Sequence, residues 1–312
     1  MPGLTDGQYL NQYVAPQLLQ EFKNYNAKFM AALQPAPKEA LDADGIRFNK
    51  LINNVGFHVN NTNAFVAKKM TGKKTLVEWD KLDTDPTEID TAEIRYLNYD
   101  KNSAVRVKHS QAFKLGLRDY VAHKLAPSAN VSGAMPVLTT TGAEINGRKR
   151  LTFADLLNFY SEIELLNLMS EDGVDQTLGL NLILNKEHRA DLLIDKAGTS
   201  NHRDNLEFNK ATGEISRFYK FQVWENNDTP LYSSTGQLKA RNSIKEDGDQ
   251  YASVFFYAPN TVYHLEKLLI LHKPLIEDTN SADPKSEIRL HGYGLCDKVQ
   301  EYGFGALVSS NA

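Results

Sequence analysis

The sequence is nearly empty of cysteine and has no long apolar run. Cys296 is the single cysteine in 312 residues, which excludes an intrachain disulfide framework and any metal site built on cysteines. Its expected role is that of a small buried residue in a strand. The longest strongly apolar piece, "YASVFFYA", is strand-sized, far below the ~20 residues of a membrane-spanning helix. The opening "MPGLTDGQYL" has neither the basic start nor the apolar centre of a secretory signal. These features read as a soluble chain made in a reducing cytoplasm. A surplus of positive charge is missing too: the net charge is -4, which argues against tight nonspecific coating of nucleic acid while leaving room for a local basic face.

Catalytic signatures are equally scarce. The eight histidines are scattered, and no His-x-x-x-His pair sets two ligands on one helix face. "DTDPTEID" at 83–90 fails as a calcium loop, because Glu88 stands where the loop needs glycine and Ile94 where it needs a bidentate Glu. In "GAEINGRKR" (142–150), Gly142 and Gly147 have the separation of a Walker loop. Arg148 and Lys149 replace its lysine and hydroxyl residue, so a flexible basic loop is expected. There is no Gly-x-Ser-x-Gly elbow. Two Gly-x-Gly pairs occur, in "HGYGLC" and "YGFGALV". A dinucleotide fingerprint needs a helix and a further strand with an acid about twenty residues on, and the sequence after Val308 leaves no room for either. Gly303 and Gly305 therefore read as structural, letting a strand pass close to a neighbouring backbone. No catalytic residue, cofactor or metal is expected, and an enzyme is the weakest reading.

What is present is ordinary globular material, 41% hydrophobic and 24% charged, enough for a sizeable core. Leu10, Val14, Leu18, Phe22, Tyr25, Phe29 and Leu33 recur at spacings of four and three, predicting an amphipathic helix over roughly 6–34. From 46 to 99 the period becomes two, with "TGKK" (71–74) as a turn and Lys68, Lys69, Lys73 and Lys74 at the tip of a long hairpin. Such a hairpin must lie on another surface. A long helix follows and ends before Pro127, with Phe113, Leu117, Val121 and Leu125 as its buried stripe and Ala112 and Tyr120 widening it. Thr152 and Asp155 resemble a helix cap ahead of Leu156, Phe159, Ile163 and Leu166. Strands are expected around "LGLNLIL", "RFYKFQVWE" and "YASVFFYA", a helix at "KEHRADLL", and a polar loop over 226–250. Helices and strands interleave without a βαβ rhythm, which gives an α+β class.

The order of these pieces resembles the major capsid proteins of tailed bacteriophages. The segments that carry the resemblance are "DTDPTEIDTAEIRYLNYDKNSAVRVKHSQAFKLGLRDYVAHKLAP", "RLTFADLL", "NLILNKEHRADLL", "GEISRFYKFQVWENN" and "YGFGALV", over about residues 46–308. The resemblance implies the Hong Kong ninety-seven type fold, also used by encapsulin nanocompartments. It implies an N-terminal helical arm (1–45), an extended hairpin or E-loop (46–99) and a peripheral-domain spine helix (100–127). A mostly axial domain (128–285) and C-terminal strands returning to the peripheral domain (286–312) complete it. The implied function is a shell of hexamers and pentamers around double-stranded DNA held by weak nonspecific contact. A separate scaffolding protein, a portal, no membrane, and a virion location after assembly in the host bacterial cytoplasm go with it. An encapsulin-like shell is the alternative. Expected subunit contacts are Phe22, Tyr25 and Phe29 on the helical arm, and the hairpin lysines against Glu78, Asp80, Asp83, Asp85, Glu88 and Asp90, by head-to-tail charge pairing.

Overall fold

The computed structural model describes residues 28–51, 59–62, 72–90, 101–166, 168, 179–198, 206–209, 211–266, 268–273, 277–280 and 284–311. Phe22, Tyr25, Lys68 and Lys69, with most of the N-terminal helix and the hairpin tip, lie outside the described residues. In chain order the first strands are β1 (Leu41–Asp42), β2 (Gly45–Leu51), β3 (Gly72–Glu78), β4 (Asp80–Asp83) and β5 (Thr87–Asp90). Helix α1 (Lys101–Leu125) follows, then β6 (Val137–Thr139), β7 (Glu144–Ile145), β8 (Arg148–Lys149) and α2 (Phe153–Leu165). Next come β9 (Leu180–Asn185), α3 (Lys186–Gly198), β10 (Leu206–Phe208), β11 (Ile215–Phe218), β12 (Phe221–Asn226) and β13 (Leu231–Tyr232). The chain closes with β14 (Gln250–Tyr257), β15 (Thr261–Leu265), β16 (Leu269–Lys273), β17 (Lys285–Lys298) and β18 (Phe304–Val308).

The central layer is a mixed sheet ordered β10-β11-β12-β9-β14-β18-β6, with β13 added on β14. Its middle strands are buried on both faces, which is why they read as continuous apolar runs rather than alternating ones. Phe255, Tyr257, Leu182, Leu184 and Leu307 point into one cluster with α2 and α3. Val254, Phe256, Ile183, Phe304 and Ala306 point into the other, with α1. A second sheet is built around β17, which pairs with β15 and β16 and with β4 and β5. Ile288 and Leu290 of β17, Ile89 of β5 and the stripe Phe113, Leu117, Val121 and Leu125 of α1 share the first cluster. The long helix thus packs against both sheets.

Local chemistry explains the boundaries. Thr152 and Asp155 form a full capping box at the start of α2: Asp155 N donates to Thr152 Oγ1, and Thr152 N donates to the Asp155 carboxylate. Such a cap is worth about 1 kcal/mol. Asn146 and Gly147 take positive φ, the geometry of a type I′ turn, so "GAEINGRKR" forms the tight hairpin β7–β8 instead of a flexible loop. Tyr219 also takes positive φ and folds "RFYKFQVWE" into two antiparallel strands, β11 and β12, where one was expected.

Other expectations are corrected. "TGKK" is not a turn, since Gly72 to Lys74 lie inside β3, paired in register with β2 from Leu51 to Asn49. Lys73 and Lys74 are therefore strand residues rather than tip residues. The hairpin region ends at Glu78, because β4 and β5 leave it to pair with β17. From Lys28 the chain is a 3-10 turn, not a continuing α-helix. Gln34 and Ala36 then bond to Tyr263 on the edge of β15, which requires extended backbone. Ala112 is exposed on α1. The two C-terminal strands part: β17 joins the sheet with β4 and β5, whereas β18 inserts between β14 and β6 in the central sheet.

Candidate functional site

The hairpin β2–β3 with β1 forms a three-stranded arm, and the arm meets the body at Glu78-Trp79-Asp80. Trp79 donates its ring N–H to the Asp42 carbonyl at 3.1 Å and lies edge-on to His264 with centroids 5.7 Å apart. Asp80 accepts from Tyr120 Oη at 2.5 Å and from Lys124 at 2.7 Å, both on the last two turns of α1. Burial first, then the bond to Asp80, drives the Tyr120 phenol far above its usual range, so it stays a donor.

One step further along, the β4–β5 turn is held by a buried histidine. Leu290 N donates to Thr84 Oγ1 at 2.9 Å. The His109 ring is hydrogen-bonded through Nδ1 to Thr84 Oγ1 at 2.9 Å and through Nε2 to Thr87 Oγ1 at 3.0 Å, with the tautomer setting which nitrogen donates. Burial lowers the His109 pKa, with Asp85 opposing. The threonines of "DTDPTEID" thus clasp a helix residue. Asp83 takes Arg289 at 3.1 Å and His291 at 2.7 Å, and Glu88 takes Lys285 at 2.8 Å. Burial pushes the Asp83 carboxyl up, but the bonds from His291 and Lys81 outweigh it and leave it below its usual value.

These pairings revise the list of expected subunit contacts. Asp80, Asp83 and Glu88 are already engaged by their own chain, as half-exposed pairs worth about 1 kcal/mol or less each. Glu78 and Asp85 are exposed, and Asp90 ends β5 opposite Lys285. Phe29 is fully buried against Phe256 in the chain's own core, which removes it from the contact surface. Its apolar ring is covered by the fold itself.

The glycines at the C-terminus act through space. A Cβ on Gly305 would lie 2.8 Å from Phe159 Cζ and 3.2 Å from the Pro136 carbonyl. Gly303 has φ +83° and abuts Tyr257, Asn260 and Leu168. The strand therefore lies flat under the Phe159 ring, which itself packs against Phe221 and Phe255.

Beside β18 sits a polar core that sequence reasoning missed. Asn185 N donates to Ser253 Oγ at 3.0 Å, and the His188 ring is hydrogen-bonded on both sides, Nδ1 to Ser253 Oγ at 2.7 Å and Nε2 to Ser309 Oγ at 2.9 Å, with the tautomer setting which nitrogen donates. All four residues are buried. A Ser-His contact invites a catalytic reading, but burial pushes the His188 pKa down to about 4 and leaves it a poor base near neutrality. Arg148 forks onto Asp191 at 2.6 and 3.1 Å and also reaches Glu187 at 3.2 Å. Asp191 also accepts from Leu151 N at 3.0 Å. Lys149 N bonds the Ser310 carbonyl, so the hairpin β7–β8 and α3 together hold the C-terminal segment.

The 226–250 segment is likewise tied down. Lys239 bridges Glu246 at 2.7 Å and Asp249 at 2.6 Å, and Tyr232 donates to the Pro127 carbonyl at 2.6 Å. Between this segment and α1 lies a cavity of about 160 Å³ lined by Asp119, His123, Asp228, Arg241 and Tyr251 among others. Among the described residues no three His, Cys, Asp or Glu side chains converge to hold a metal ion. Cys296 is buried in β17, and burial pushes its thiol far up, away from thiolate chemistry. Among the described residues the arrangement offers packed surfaces and an arm.

No protein-family model and no curated protein matches the sequence. Solved structures do match. The capsid of Cyanophage P-SCSP1u superposes with a TM-score of 0.63 at 13% identity, covering 92% of this chain and 89% of that one. A structure of Mycobacterium phage Che8 gives 0.59 at 11% identity, covering 90% and 91%. The virus-like particle from Pyrococcus furiosus gives 0.52 at 9% identity, covering 93% and 96%. The chain has the Hong Kong ninety-seven type capsid fold.

Proposed function

We propose that this chain is the major capsid protein of a tailed bacteriophage or prophage, assembling as hexamers and pentamers into an icosahedral head. The observation that carries the reading is the match to capsid folds over about nine-tenths of both chains. The base of the arm packs on its own body through Ile46 and Val77 against Val262 and Leu295, and the long hairpin β2–β3 beyond it is marginal without a further surface, which a shell would supply. Lys68 and Lys69 are the proposed arm contacts. A scaffolding protein, a portal and packaged DNA are its proposed partners, with the host cytoplasm as the place of assembly. Chemistry has no part in this role.

Electron microscopy of the purified protein tests it. Closed icosahedral particles tens of nanometres across are expected; a protein that stays monomeric at all concentrations and salts refutes it. The likeness to the Pyrococcus furiosus particle supports a second reading, a shell around protein cargo. Nuclease-protected DNA in particles from infected or induced cells decides for the first reading, and a protein cargo for the second.

A further inference from the structure

The cavity between α1 and the 226–250 segment has no part in the capsid reading, and its walls divide by chemistry. Pro230 and Leu231 are buried and form an apolar wall, with the half-buried Tyr251 beside them. Asp119 of α1, half-buried, and the exposed Asp228 line the same space. Among the described residues neither carboxylate has a hydrogen-bond or ion-pair partner. Arg241, also on the lining, donates to the Gly116 carbonyl at 3.3 Å, and His123 Nε2 donates to the Lys239 carbonyl at 2.8 Å. Burial first, then Asp228, raise the Asp119 pKa by more than Arg241, His123 and Arg118 lower it. Ser243 gives its hydroxyl proton to the Ala240 carbonyl at 2.7 Å, which leaves its oxygen lone pairs as acceptors. Lys245 stands 5.3 Å over the Tyr251 ring and bonds Gln250 rather than either aspartate.

We propose that this cavity binds a primary alkylammonium group, its N–H donors on Asp119, Asp228 and Ser243 and its methylenes along Pro230, Leu231 and Tyr251. Charge selects a cation: two carboxylates against Arg241, with His123 counted as neutral, leave a net negative charge. The cavity also lies beside the last turns of α1, whose dipole favours positive groups. Among the described residues no three His, Cys, Asp or Glu side chains converge on a metal ion, so the fitting cation is one held through N–H donors. An ammonium has three donors and no acceptor, which matches three acceptor groups on the lining. The volume of about 160 Å³ has room for one side-chain-sized group, and an apolar wall next to an acidic end suits an alkyl stem with a charged head. A half-buried carboxylate without a partner is destabilising, and a bound ammonium removes that cost. A free linear amine and a lysine of a second copy share this chemistry. The first source stands on the cavity alone, whereas the second rests on the capsid reading.

The test titrates the full chain, as unassembled subunits at neutral pH, with n-butylamine in a calorimeter. n-Butanol serves as the uncharged probe and magnesium as the metal probe. Butylamine should bind saturably, and neither butanol nor magnesium should displace it. Asp119→Asn should weaken binding at least about tenfold. Asp247→Asn removes the same charge from an exposed position off the lining and should bind like wild type. Should Asp119→Asn fail to fold, Ala240→Leu, at an exposed position of the lining, should narrow the cavity and lower the affinity in its place. Absence of saturable binding, wild-type affinity in both lining variants, or displacement of butylamine by equimolar magnesium overturns the proposal. Sedimentation of the subunits with and without saturating butylamine then assigns the source. Association blocked by the amine and weakened by Asp119→Asn identifies a second copy's lysine, and association unchanged by either identifies a free amine. Particle formation is scored separately by microscopy, so absence of particles counts against the capsid reading and leaves the butylamine titration standing.

Discussion

Acidification should loosen this subunit through His188, and the size of the effect follows from its surroundings. The ring is fully enclosed and hydrogen-bonded to Ser253 and Ser309, with Asp191, Arg148 and Asp155 as the charges that act on it. Its pKa falls from the ordinary 6.5 to about 4. In the unfolded chain the imidazole takes up a proton near 6.5, whereas in the folded state it resists until about 4. The neutral buried ring therefore contributes stability that is fully present above pH 6.5 and lost as pH falls toward 4. The loss has a slope of up to ~1.4 kcal/mol per pH unit and totals about 3 kcal/mol. The assay is urea unfolding of dilute subunits across this pH range, for wild type and His188→Gln. The buried His109 and the half-buried His272 are shifted the same way, so the informative quantity is the difference in slope between the two proteins. The glutamine variant should be less stable at neutral pH, and the two curves should converge on acidification. Parallel curves would show that His188 does not titrate against folding, and the reasoning fails.

Gly305→Val should cost more than the ~1–3 kcal/mol usual for overpacking, because its side chain would meet both the Phe159 ring and the Pro136 carbonyl; soluble, normal particles at wild-type yield contradict this. Asp191→Ala leaves Arg148 with only Glu187 in a site where the Arg148 side chain is 12% exposed, so a loss of about 3–5 kcal/mol is expected in chemical denaturation. Tyr120→Phe removes one of two partners from the half-exposed Asp80 and should cost only about 1 kcal/mol, with a loss above 3 kcal/mol pointing to some further role. Lys68→Glu/Lys69→Glu should leave subunit stability unchanged within about 0.5 kcal/mol while reducing particle yield; normal assembly at all salts rules out the arm lysines as contacts.

The helices were legible because their signals are local. Period-four apolar residues and Pro127 place the end of α1 within a residue or two of Leu125, and Thr152 with Asp155 announces the start of α2. "NG" at 146–147 is equally local and marks the hairpin β7–β8, where a flexible basic loop was expected. The clasp of His109 by Thr84 and Thr87 was out of reach, since its three residues come from separate elements joined only by packing. The same holds for His188, whose two serine partners are 65 and 121 positions away.

The sequence by itself determined which stretches are buried, where α1 ends and α2 begins, and that Gly303 and Gly305 serve structure, since propensity, capping and periodicity act over a few residues. Only the tertiary structure decided which sheet each strand joins. β17 and β18 are separated by a short turn, yet one pairs with β4 and β5 and the other slots beneath Phe159 beside β14. Pairing choice depends on which distant backbone offers open hydrogen bonds and matching side-chain volume. The acids at the arm's base show the same division: their number was plain in the sequence, whereas their pairing with Lys124, Arg289 and Lys285 came from the fold.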